Sequence, residues 1–353
     1  MRRLIGLPLA VLLLAGAPAR ANDILLATFR DYLDAIRVQT AIPGLAASII
    51  GRDDVLWMHA YGRQNVERNV ATTIDTPFHV EGLTQVFTSV LILRCVDLGL
   101  ITLDDPVGLW VPDAPEPEAT IAQLLSHSTS STGVNVFTHN NERLNVLAGV
   151  LTNACTSDSF RETLATEFDI LGMSDSVPGA DALDVAALEF DETATPSRTE
   201  RYQLALGRLA TPYTLDADRR PVASAYSTTT LTPSAGVITT VQDYARFDLA
   251  LKRGEVVRPE TLAASWQPPV DENGQPLPHA AGWFVQTFNG ERILWQFGVS
   301  DSGSSSMVMM APGRGLTLVL LANGPGLVRP FALEKGDLVA SPFGRLFLGM
   351  LVR

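Results

Sequence analysis

A serine becomes a useful nucleophile only when a base lies within hydrogen-bond reach of its hydroxyl. Three places in this 353-residue chain carry the side chains for such a pair: Ser126-His127-Ser128, His139, and the run Ser300-Asp301-Ser302-Gly303-Ser304-Ser305-Ser306. A lysine three residues after a serine on a helix is another arrangement, because residues three apart share a face. The only lysines are Lys252 and Lys335, and Leu249 and Ala332 stand three residues before them. No Ser-x-x-Lys or Thr-x-x-Lys therefore exists. Each remaining candidate also has a bland reading. Ser126-His127 reads as a structural segment, His139 as a solvent-facing loop histidine, and the serine run as a flexible loop. His59 lies in an apolar strand, Val55 to Gly62, and reads as structural.

The stretch Thr76-Pro77-Phe78-His79-Val80-Glu81-Gly82-Leu83-Thr84-Gln85-Val86-Phe87-Thr88-Ser89-Val90-Leu91 organises the rest. Its extended start and the helically spaced apolar run from Val86 to Leu100 predict a short strand turning into a buried helix. Asp97-Leu98-Gly99-Leu100-Ile101-Thr102-Leu103-Asp104-Asp105-Pro106-Val107 follows.

This stretch resembles the Ser-x-x-Lys region of the serine β-lactamase and D-Ala-D-Ala carboxypeptidase superfamily. Gly82 stands where the resemblance places the serine, and Gln85 where it places the lysine. Glycine carries no oxygen to attack with, and glutamine does not titrate. Thr84 is no substitute, since two helical steps turn its hydroxyl to roughly the opposite side at about 100° per residue. Drift from lysine toward arginine would put Arg at position 85; Gln is there instead.

The resemblance continues through nearly the whole chain after the leader. Thr120 to Ser130 is similar to the family's Leu-Leu-Ser-His-Thr-Ser-Gly segment, with Ser130 for the glycine. His139-Asn140-Asn141 falls at the family's Tyr-x-Asn, where the tyrosine shuttles protons and the asparagine holds the substrate amide. The tyrosine's counterpart is His139 or Asn140, depending on a one-residue slip. Phe168 to Ser176 is similar to Pro-Leu-Gly-Met-x-x-Thr, and Pro233 to Phe247 to Ala-Gly-Gly-x-x-Ser-Thr-x-x-Asp-x-x-Arg-Phe, with Thr239 or Thr240 capping the next helix. Gln296-Phe297-Gly298 takes the place of the third motif, His-x-Gly or Lys-Thr-Gly, so its basic group is lost and Phe297 is placed to fill part of the cleft.

Those motifs need elements to hold them. An amphipathic helix is predicted over 22–38, then a hairpin from Ile42–Ile50 and Val55–Gly62. Residues 86 to roughly 210 read as mostly helical. Near the C-terminus, strands are predicted at 282–288 and 292–297, turned by Asn289-Gly290, with a third at 306–310 or at 316–323, and a closing helix at 343–351. The expected fold class is α/β (α+β), β-lactamase/transpeptidase-like: an antiparallel sheet flanked by helices plus an all-helical lobe. The sheet lobe is expected over about 22–80 and 230–353, the helical lobe over about 81–229.

Composition sets the remaining bounds. A hydrophobic content of 46% with 18% charged residues describes a globular chain. A net charge of −12 argues against nucleic acid and anionic membrane as partners. Met1-Arg2-Arg3, apolar Leu4 to Gly16 and Ala19-Arg20-Ala21 read as a secretory signal over 1–21, cleaved after Ala21. The apolar run is too short to span a bilayer, and no cysteine near the cleavage point suggests a lipid anchor. Periplasmic or secreted localisation is expected. The only cysteines, Cys95 and Cys155, either pair or remain buried thiols. No cofactor or metal is expected.

The departures at Gly82, Gln85, His139-Asn140-Asn141 and Gln296, with Gly298 retained, imply a degenerate member that has lost serine-hydrolase chemistry. Its expected role is binding a small-molecule or peptide ligand in the residual cleft, or a protein partner. The alternative is an active esterase, carboxypeptidase or β-lactamase-like hydrolase using a non-standard nucleophile.

Overall fold

Short apolar runs buried on both faces build the centre of the sheet. The computed structural model describes residues 17–129, 134–184, 197–227 and 230–352. Residues 1–16 of the expected signal segment over 1–21 lie outside them, as does Ser130; helix α1 (Ala17–Gln39) runs through the expected cleavage point. The hairpin follows as β1 (Gly44–Ile50) and β2 (Val55–Asn65), with a short β3 (Val70–Ala71) beside it. Helices α2 (Thr84–Asp97) and α3 (Val241–Lys252) precede β4 (Phe284–Phe288), β5 (Glu291–Val299), β6 (Ser305–Ala311), β7 (Leu316–Ala322) and α4 (Pro342–Leu351).

These strands form one seven-stranded sheet in the order β4-β5-β6-β7-β1-β2-β3. Every neighbouring pair is antiparallel, and β1 meets β7 with Leu45 opposite Ala322, so the two ends of the chain join mid-sheet. Both alternatives for the third C-terminal strand are strands, because Pro312 to Gly315 turns the chain back between them. Asn289 and Gly290 both take positive φ, 50° and 80°, as a type I′ hairpin turn requires.

The pleat sorts the side chains. Leu45, Trp295, Met307, Met309 and Leu320 face α1 and α4, where Phe29, Leu33, Phe343 and Phe347 are fully buried. Ala46, Leu294, Val308 and Leu321 face the other way, onto α2 and the helical insertion. That insertion is irregular: short helices at Ile121–Leu125 and Leu147–Val150, a π-helical turn at Leu151–Thr156, and a longer helix at Phe160–Ile170. Helix α3 is capped by Thr240 and not by Thr239: the Thr240 hydroxyl accepts from the Asp243 amide at 3.0 Å.

Cys95 on α2 and Cys155 form a disulfide across a sequence separation of 60 residues. Closing so long a loop removes entropy from the unfolded chain. Replacing both cysteines by serine is expected to lower unfolding free energy by about 2–4 kcal/mol, read as a fall in the urea midpoint.

Candidate active site

Pro77 holds Thr76 extended, and Phe78–His79 pairs with Val237–Thr239 as a short strand. A single 3-10 turn, Glu81–Leu83, then leads directly into α2. Gly82 thus sits at the helix entrance, with Gln85 one turn on. Both are buried. A Cβ on residue 82 would lie 3.1 Å from the Phe297 carbonyl oxygen, 3.2 Å from Asn141 Nδ2 and 3.6 Å from Gln85 Nε2. The position is therefore stripped of its hydroxyl and also closely covered, so a serine there would force its neighbours outward. Thr84 turns away and accepts from the Val237 amide at 3.2 Å.

Gln85 is fixed from one side. His127 Nε2 lies 2.8 Å from Gln85 Oε1, and its Nδ1 lies 3.2 Å from the Asn140 amide nitrogen and 3.1 Å from the Asn140 carbonyl oxygen. The Gln85 amide nitrogen, directed toward Gly82, has no hydrogen-bond partner among the described residues. Burial is the main force pulling His127 down to about 3, helped by the nearby His139. At neutral pH it is an uncharged strut. Ser126 donates back to the Ala122 carbonyl at 2.7 Å and shares a hydrogen bond with Ser128. Those hydroxyls do not meet the His127 ring, so Ser126-His127 is not a nucleophile–base pair.

Asn141, rather than Asn140, faces Gly82, which makes His139 the residue in the tyrosine's place. The expectation of a solvent-facing His139 is corrected. Its ring is half-buried, 4.8 Å from that of His127 and stacked 5.7 Å from Phe297, and burial lowers its pKa. Apolar rings gathered from β4 and β5 draw this loop inward.

On β5, Gln296 is fully buried on the α2 face of the sheet. Its Nε2 donates to the Gly282 carbonyl at 3.1 Å and lies 3.2 Å from His279 Nε2, while its Oε1 accepts from the Phe297 amide. His279, 4.7 Å from His127 by ring centroids, is held well below the ordinary histidine range, mainly by burial. It is a site residue that sequence reading missed, since nothing in Pro278-His279-Ala280 carries a motif. Gly298 has a steric reason: a Cβ there would come within 2.1 Å of the Val80 carbonyl oxygen.

The serine run is also not the flexible loop expected. Ser304, Ser305 and Ser306 are fully buried, and the latter two open β6. Ser306 donates to the Val80 carbonyl and Ser305 to that of Gly324. Ser304 donates to Glu81, whose Oε1 lies 3.1 Å from His79 Nδ1. Burial works against the Glu81 charge, but hydrogen bonds from His79 and Ser304 outweigh it and hold its pKa below the usual carboxylate value. A fully buried hydroxyl on a weak base is a structural anchor. It explains how Glu81 tolerates a φ of 53°.

Over this floor opens a cleft of about 460 Å³, lined by His139, Asn141, Phe297, Gly298 and Val299 and by the segment from Val328 to Glu334. Among the described residues, no group of three or more His, Cys, Asp or Glu side chains is placed to hold a metal ion.

Residues 27–339 match the family profile described as Beta-lactamase. The chain belongs to the beta-lactamase family. It is 24% identical over 305 residues to Protein flp of Staphylococcus aureus (strain MW2), covering 80% of this chain and 60% of that relative. The chain thus spans about 60% of the length of the curated Staphylococcus relatives it matches. It is 26% identical over 334 residues to Penicillin-binding protein 4 of Amycolatopsis lactamdurans, covering 84% of this chain and 85% of that one. Among solved structures, the octameric penicillin-binding protein homologue from Pyrococcus abyssi superposes with a TM-score of 0.72 at 18% identity, over 92% of this chain and 77% of that one. The superfamily and the antiparallel-sheet fold expected from sequence are both shown.

Proposed function

We propose that this protein is an exported, non-acylating member of the family whose residual cleft binds a ligand reversibly. One observation carries the reading: Gly82 lies tightly under Asn141 and the Phe297 carbonyl, with Gln85 held by a neutral His127. Positions 82 and 85 carry neither a nucleophile nor a titratable base, and Gln296 replaces the third motif's cation. The cleft itself persists at about 460 Å³. Export is supported by the Arg2-Arg3, Leu4–Gly16 and Ala19-Arg20-Ala21 pattern and by the disulfide, which suits an oxidising compartment. Among the described residues, no helix is long and apolar enough to cross a membrane.

The alternative of an active hydrolase needs a reachable serine beside a base. Ser126 and Ser128 bond each other and the backbone. Ser304, bonded to Glu81 beside Gly82, is fully buried, and the half-buried Ser300, which also bonds Glu81, is tied to Ser302 and Ser304 and does not line the cleft. A fluorescent penicillin is expected to leave no label on the denatured protein, read by gel fluorescence. A labelled band would sink the proposal.

A further inference from the structure

The cleft carries an electrostatic signature distinct from its missing nucleophile. Both motif positions that could hold a lysine carry buried, neutral glutamines, and the three histidines around them are kept uncharged by burial. Two ionised side chains line the cleft, Arg329 and Glu334. Arg329 is paired with Asp301 on the rim. Glu334 is exposed and makes no ion pair among the described residues, and its charge reaches His139. The wall beside it is aromatic: His139 stacks on Phe297 at 5.7 Å, and Phe331 lines the same space.

We propose that the cleft recognises a ligand bearing an ammonium group on an apolar body, seated between the aromatic wall and the Glu334 carboxylate. A cation is drawn to the faces of aromatic rings and to an unneutralised carboxylate. The overall charge of −12 raises its local concentration and repels an anion. The inference rests on the cleft being a reversible binding site and goes beyond it by naming the ligand's charge.

Phenethylamine, 2-phenylethanol and phenylacetate place a cation, a neutral group and an anion on one phenyl body. Titrated by NMR at pH 7, phenethylamine is expected to bind about tenfold tighter than 2-phenylethanol, with phenylacetate weakest. Glu334→Gln, at an exposed position, is expected to erase most of that preference. Phe331→Ala is expected to weaken the amine and the alcohol alike, with the melting temperature reporting intact folding. Phenylacetate binding as tightly as the amine would overturn the charge assignment while leaving reversible binding standing. So would an unchanged preference in Glu334→Gln. No saturation by any of the three below roughly 20 mM would also overturn the inference. A covalent adduct from the penicillin experiment would instead overturn the non-acylating reading beneath it.

Discussion

Acidification from pH 6.5 toward 3 is expected to remove several kcal/mol of stability, most of it through the buried histidines. His127 titrates at about 3 in the folded protein, mainly because burial penalises its charged form, and His279 and His139 are lowered for the same first reason. In the unfolded chain each returns to about 6.5. Between those values the unfolded state binds more protons than the folded one, so stability rises with pH. The contribution is whole above pH 6.5 and is lost as pH falls through the folded pKa. At roughly 1.4 kcal/mol per unit, His127 alone contributes on the order of 3 kcal/mol or more. Urea unfolding from pH 7.5 to 4 should show the decline. His127→Asn should flatten its slope while costing some stability at neutral pH through the lost bond to Gln85. Parallel profiles for the two proteins would show that His127 does not stay neutral in the fold.

The second large effect concerns position 85. Gln85→Lys, the residue type the family motif carries there, is expected to destabilise the protein at pH 7 by about 3–5 kcal/mol. The side chain is fully buried, its Oε1 lies 2.8 Å from His127 Nε2, and no carboxylate among the described residues bonds it. An ammonium there would carry its charge into a fully buried position with no carboxylate bonded to it. The sign with pH is fixed. A lysine whose folded pKa is depressed imposes its full penalty below that pKa, and stability recovers as pH rises toward about 10.4. A melting-temperature series from pH 6 to 10 reads this directly. An unchanged melting temperature at pH 7 would mean that the pocket still accommodates a charge, and the neutral-floor description fails.

Much of the scaffold was legible. The short apolar runs Gly44–Ile50 and Leu316–Ala322, and the Asn289-Gly290 turn, sufficed for an antiparallel sheet joining both chain ends. Gly82, Gln85, Gln296 and Gly298 were found because the motifs have fixed local spacing. What spacing cannot give is which distant side chains close on them. His127 reaches Gln85 across 42 residues, and His279 reaches Gln296 across a loop with no pattern of its own. The slip between Asn140 and Asn141 needed the Gly82 contact to resolve it. Ser304 to Ser306 looked like a loop because serine favours turns. They are buried because Glu81 and the Val80 and Gly324 carbonyls accept their protons. Burial by long-range partners overrode local preference there, as it did at His139.

Intact-mass spectrometry after incubation with a broad panel of β-lactams and activated esters tests the central claim most directly. The chain's mass should remain that of the unmodified protein with every compound, since no accessible hydroxyl beside a base lines the cleft among the described residues. A stoichiometric acyl adduct, mapped by peptide analysis to a residue of this groove, would contradict the account and name the nucleophile it lacks.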